Sequence, residues 1–144
     1  MALILSSLIE YFVKPRFPTS YTLFEAIAIH KDLKMVEAKL NSGADVNEEI
    51  EWGITPLIVA IEHANVEIVQ VLIAYGANLN QPNPYPSGLI PLSKAVQEGN
   101  VEMIKLLLEN GASINNVDDT GNNSLETALS IGDISVVKCL IFCQ

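Results

Sequence analysis

Two histidines, His30 and His63, and two cysteines, Cys139 and Cys143, are the side chains of this 144-residue chain with the widest reach in acid–base, metal and nucleophilic chemistry. The histidines stand 33 residues apart, at equivalent positions of neighbouring units in a repeating pattern. Stacked helices lie about 10 Å apart, too far for the pair to share a metal. Glu62 adjoins His63, but sequence neighbours on a helix point apart. The cysteines are spaced i,i+4 on a helical stretch and so share a face; with no histidine or third cysteine beside them they make no zinc site, and small core thiols are the simpler reading. No nucleophile elbow, phosphate-cradling glycine loop or H-E-x-x-H pair is present. Catalysis, cofactor and metal are therefore not expected, and recognition is. Its anchor is Trp52, the only tryptophan, beside Glu51 in an acidic stretch. A rigid aromatic in a polar setting is a typical interface hot spot, with Tyr21 and Tyr85 to flank it. The plainer alternative is that Trp52 fills its own loop.

Composition narrows the partner. Seventeen acidic residues against eight basic give a net charge of −9, and no Lys or Arg falls between Lys39 and Lys94. Such a field disfavours phosphate backbones and anionic lipid, so neither nucleic acid nor membrane is expected. A protein with a basic surface fits better, unless Glu48, Glu49 and Glu51 are simply a solvated tip. Hydrophobic residues at 49% suffice for a continuous core, and aromatics at 6% make it mostly aliphatic. Two cysteines without a disulfide framework suit a reducing cytoplasm. The apolar start, Met1 to Ile9, has no basic flank or small-residue cleavage site and is too short to span a bilayer.

The elements that must position these residues recur. Gly43-Ala44-Asp45-Val46-Asn47 precedes Gly76-Ala77-Asn78-Leu79-Asn80 by 33 residues, and Gly111-Ala112-Ser113-Ile114-Asn115 follows that by 35. A period in this range signals a solenoid whose units bury their apolar faces only against neighbours. Asp32, Asn65, Asn100 and Asp133 are helix N-caps. Gly43, Gly76 and Gly111 lie eleven residues after the first three, where a left-handed stop is wanted. Between them Val66/Ile68/Val69/Leu72/Ile73 match Val101/Met103/Ile104/Leu107/Leu108 as a core-facing helical stripe. Thr22 to Glu25 has the capping-box pattern, and Thr55-Pro56 places a cap before a proline at the first helical turn. Gln81 to Ser87, with three prolines, is a two-residue insertion between the second and third units. The final helix, Val136 to Cys143, is almost wholly apolar where a terminal unit is normally polar outside.

The opening Thr55-Pro56-Leu57-Ile58-Val59-Ala60 with the closing G-A-(D/N)-(V/L)-N resembles the ankyrin repeat, over nearly the whole chain. The resemblance implies an all-α solenoid of helix-turn-helix units joined by short β-hairpin loops, in a single domain. Residues 1–14 would be a capping helix, 20–52 repeat one, 53–87 repeat two, 88–120 repeat three and 121–144 a truncated repeat four. Pro15 and Pro18 end the cap. Departures are Leu23 for proline in repeat one, Ile90 for the capping threonine, Ser124 for proline, and Glu25, Ile58, Ser93 and Glu126 in place of the usual histidine, whose hydrogen bond is then lost. Asn47, Asn80 and Asn115 would brace the hairpin backbone, and in some family members this asparagine is hydroxylated.

Ankyrin arrays usually bind partner proteins through hairpin tips and the exposed ends of first helices, on the concave side. Carried over by register, the tip positions here are Glu51, Trp52 and Ile54, then Pro86, Ser87 and Leu89, then Asp119 and Asn122, with Tyr21 in the less regular first hairpin. The first-helix positions are His30, Glu62, His63, Gln97 and Glu98, the histidines offering pH sensitivity if they are not ordinary surface groups. The expectation is a non-catalytic module, whether adaptor, inhibitor or effector, centred on repeats two and three. Two alternatives stay open: a structural protein that self-associates through its apolar terminal helices, and an acidic mimic of nucleic acid that blocks a basic protein.

Overall fold

A computed structural model describes residues 21–81, 90–118 and 120–143. The expected capping helix, the proline-rich insertion and Gln144 lie outside these residues. Eight helices follow one another in pairs. α1 (Leu23–Glu25) runs on as a wider π-helical turn, Ala26–His30, before α2 (Leu33–Asn41). Then come α3 (Pro56–Glu62) and α4 (Val66–Ala74), α5 (Pro91–Gln97) and α6 (Val101–Glu109), α7 (Ser124–Ile131) and α8 (Ile134–Phe142). First helices stack in the order α3, α5, α7, and second helices in the order α2, α4, α6, α8.

Local chemistry sets the boundaries. Each second helix begins at a side-chain cap: Asp32 accepts from the Lys34 and Met35 amides, Asn65 from Ile68, Asn100 from Met103, and Asp133 from Ser135 and Val136. These bonds satisfy orphan donors of the first turn. Three second helices are followed by Gly43, Gly76 and Gly111 at φ of 95°, 90° and 94°, a conformation in which a side chain is strained. The turn between the helices of each pair is also left-handed, at Lys31, Ala64, Gly99 and Gly132. The Thr22 box closes in both directions, and Thr55 caps α3 with Pro56 in its first turn. Ile90 supplies no side-chain cap to α5, and Asn123, not singled out from sequence, makes a full capping box with Glu126.

The core is aliphatic and continuous through the stack. Ala26, Ile27 and Val36 join Leu57, Ile61, Ile68 and Leu72, which meet Leu92, Met103, Ile104 and Leu107, and these meet Ala128 and Leu140. Ser93 and Ser124 are buried within it, their hydroxyls 3.3 Å apart. This pair restores part of the polar tie expected to be lost with the histidine.

The asparagines closing each unit act across the junction and not within their own hairpin. Asn47 donates Nδ2–H to the Gly76 carbonyl (3.1 Å) and accepts the Asn78 amide (2.7 Å). Asn80 donates to the Gly111 carbonyl (2.9 Å) and accepts from the Ser113 amide (2.7 Å) and from Asn116 Nδ2 (3.0 Å). Each amide bridges the loop of the next repeat, at the glycine that ends its second helix.

Asn115 occupies the same place in its motif, yet its side chain bonds to nothing among the described residues. Asn80→Ala should therefore destabilise the fold by about 1–3 kcal/mol, the cost of leaving such bonds unmade. Asn115→Ala should be close to neutral. Urea unfolding of both variants checks the difference that their identical motifs conceal.

Candidate functional site

The tip between repeats one and two is built on a five-residue turn. Ile50 and Ile54 pair across it, with the Ile50 amide donating to the Ile54 carbonyl (3.0 Å) and the Gly53 amide to the Ile50 carbonyl (3.2 Å). Trp52 lies at its apex with φ 67° and is 60% exposed. A bulky residue in the left-handed region is strained by about 1–2 kcal/mol. Glu48, Glu49 and Glu51 surround it and are exposed, while Ile54 is half-buried. Glu49 accepts a hydrogen bond from the Gln81 side chain of the next repeat.

The corresponding tip of repeat four relaxes the same turn. Asp118 stands in the place of Ile50 and accepts from the Thr120 amide (2.9 Å), the Thr120 hydroxyl (2.6 Å) and the Asn122 amide (3.0 Å). Partial burial pushes its carboxyl up, but these donors outweigh it and hold the group below the usual carboxylate range. Thr120, in the place of Trp52, keeps a negative φ. The first tip has no such acceptor at Ile50.

Along the first helices, Glu62, Gln97 and Glu98 are exposed and His63 is half-buried. Between the two glutamates lies Lys94, 2.9 Å from Glu98 Oε1 and 3.4 Å from Glu62 Oε1. The Glu98 bond, against a cost of burial, raises the Lys94 ammonium above the usual lysine range. Sequence reading counted Glu62 and Glu98 as a free acidic wall and passed over Lys94. Its signal was the i,i+4 spacing to Glu98 and its register 32 residues after Glu62. Two carboxylates and one ammonium leave this wall with one negative charge, so the unbalanced acidity lies at Glu48, Glu49 and Glu51.

Tyr21 is corrected by burial. Its ring is 9% exposed, its hydroxyl donates to the Met35 carbonyl (3.3 Å), the Lys39 ammonium lies 4.6 Å over its face and the His30 imidazole meets it edge-on. It is core and cannot flank Trp52. His30 is exposed, and Asn122 is exposed with its side chain tied to Thr120. Tyr85, Pro86, Ser87, Leu89 and Asp119 lie outside the described residues.

No cluster of three or more His, Cys, Asp or Glu side chains suited to a metal occurs among the described residues, and no helix there is long and apolar enough to cross a membrane. Cys139 and Cys143 have their sulfurs 3.4 Å apart on α8. Burial, and then the hydrogen bond to Cys143, push the Cys139 thiol up to about 11. At neutral pH it is protonated and a poor nucleophile or ligand. Native-state alkylation followed by mass spectrometry should accordingly label Cys143 well before Cys139, and unfolding should abolish the difference.

The model of the family described as ankyrin repeats (3 copies) matches residues 23–118 and 80–144. Shorter stretches resemble a protein named ankyrin repeat, SAM and basic leucine zipper domain-containing protein 1. The chain is 47% identical over 47 residues to the one from Notamacropus eugenii, 33% of this chain and 10% of the relative. It is 45% identical over 49 residues to that of Carollia perspicillata, 34% of this chain and 10% of the relative. It is 41% identical over 56 residues to that of Loxodonta africana, 39% and 12% respectively. The chain thus spans about a tenth of the length of these curated relatives. Ankyrin repeats are generally protein–protein interaction modules and not catalysts. With a family model matched over most of its length and asparagines bridging successive units, this chain belongs to the ankyrin-repeat family.

Proposed function

We propose that this chain is a non-catalytic recognition module that binds a partner protein through the hairpin tips and first helices of repeats two and three. Trp52 is its anchor. The observation that carries this reading is the tip itself. A large aromatic is held out at the apex of a turn in a conformation that favours glycine. Backbone strain kept beside an exposed aromatic is the signature of a site that serves a contact rather than the fold.

Glu48, Glu49 and Glu51 ring the tryptophan with negative charge, so the partner surface that fits is an apolar pocket rimmed by Lys or Arg. Glu62, Lys94 and Glu98 extend the surface along the first helices as a nearly balanced polar wall. That wall contributes register more than attraction, because its charges are already paired. The stacked helices hold the tips in place before binding, which lowers the ordering cost of association. The two free thiols suit a reducing compartment, and the cytoplasm is the proposed location.

Substitution at Trp52 separates strain from recognition. Trp52→Gly relieves the left-handed strain, so urea unfolding should show stability held within about 1 kcal/mol of the wild type or raised. The same variant should lose a partner that the wild type retains on affinity capture from native lysate. Glu51→Lys should weaken capture mainly at low ionic strength, where exposed charges are least screened. A partner retained equally by the wild type and both variants would overturn the reading.

A further inference from the structure

We propose that the outer face of the last helix pair is a self-association surface that pairs with the same face of a second copy of this chain. The argument runs position by position through the repeat. Ile61 and Val96 are each 1% exposed in the first helices of repeats two and three, and Leu129, at the same position of α7, is 60% exposed. Val69 and Ile104 are fully buried on the second helices, while Val137 is only half-buried on α8. Leu57 and Leu92 are buried and Leu125 is half-buried. Ile134 and Ile141, at 69% and 50% exposed, continue the stripe on α8 where Val101 and Leu108 are partly covered in repeat three. These five side chains are the set that each internal repeat presents to the next one. The adjoining Asn115 amide, which in Asn47 and Asn80 grips the following repeat, is without a bond to the described residues.

The chemistry of the face selects its occupant. All five positions are aliphatic, so the face carries no charge of its own to repel its image, although the chain as a whole carries −9. A two-fold pair sets one patch against itself, which costs nothing electrostatically when the patch is neutral. Two such faces remove on the order of 1,000 Å² from water, the lower bound for a specific interface. The pairing is closed, stops at two copies, and leaves both Trp52 tips free. A dimer of this kind presents two recognition surfaces, and a partner with two matching sites gains from effective concentration.

Sedimentation equilibrium of the whole chain, from low to high micromolar concentration, tests this independently of partner binding. The expected result is a monomer–dimer equilibrium with no larger species. Leu129→Asp and Ile134→Asp, both at exposed positions, should each raise the dimer dissociation constant at least about tenfold with an unchanged circular dichroism spectrum. Leu129→Gln gives the same readout should an aspartate unfold the chain. Trp52→Ala should leave the dimer intact. A monomer throughout the range, an open ladder of oligomers, a dimer untouched by substitutions on α7 and α8, or a dimer lost with Trp52→Ala would each overturn the proposal.

Discussion

The amide of one asparagine, Asn80, carries much of what makes this chain a single body. A solenoid has no contact between distant parts of the sequence, so its cohesion is the sum of its junctions. At the junction of repeats two and three the apolar side of that sum comes from Leu57, Ile61, Ile68 and Leu72 against Leu92, Met103, Ile104 and Leu107. Apolar burial is non-directional. The bidentate grip of Asn80 on the Gly111 carbonyl and the Ser113 amide is directional, and it sets the register of one unit on the next. Gly111 can turn its carbonyl toward that amide because its left-handed backbone ends α6 there. The same glycine therefore ends a helix and completes a junction, which explains why glycine and asparagine recur together in each unit.

Rigidity passed along those junctions reaches the tips. Two solutions to one turn appear in the same molecule. At Asp118 a carboxylate gathers three donors and the apex residue relaxes. At Ile50 no such acceptor exists, and the apex residue is a tryptophan with φ 67°. A strain of about 1–2 kcal/mol persists only because α3 and its Thr55 cap fix one end of the turn, and the pairing of Ile50 with Ile54 fixes the geometry between its ends. The order of dependence is thus junction, then helix, then turn, then exposed ring.

Whatever was encoded locally was legible from sequence. N-caps at Asp32, Asn65, Asn100 and Asp133, the glycine stops, the Thr22 box and the aliphatic stripe all follow from residues within one turn of each other. What escaped was encoded across repeats. Asn47 and Asn80 reach 29 and 31 residues forward for a carbonyl, and nothing in their own hairpin signals the direction. Lys94 neutralises Glu62 from the next unit, a pairing invisible when each repeat is read alone. Tyr21 reads as a tip aromatic by register, but α2 offers it the Met35 carbonyl and Lys39, and its ring turns inward. Asn123 was masked by the proline expected beside it.

Repeat proteins separate their surfaces more cleanly than globular domains do, because tips, first helices and end faces are made by different positions of the same unit. Here those surfaces differ in kind. The tip gathers an aromatic and three unpaired carboxylates, the first-helix wall pairs its charges through Lys94, and the end face of α7 and α8 is aliphatic. Electrostatic attraction acts over roughly a Debye length of about 8 Å at physiological salt, whereas apolar contact acts only on touching. A basic partner approaching the molecule is therefore drawn to the Trp52 tip, while the neutral end face exerts no comparable pull and selects by shape alone. Because the two operate by different forces and share no residue, occupation of one need not compete with the other.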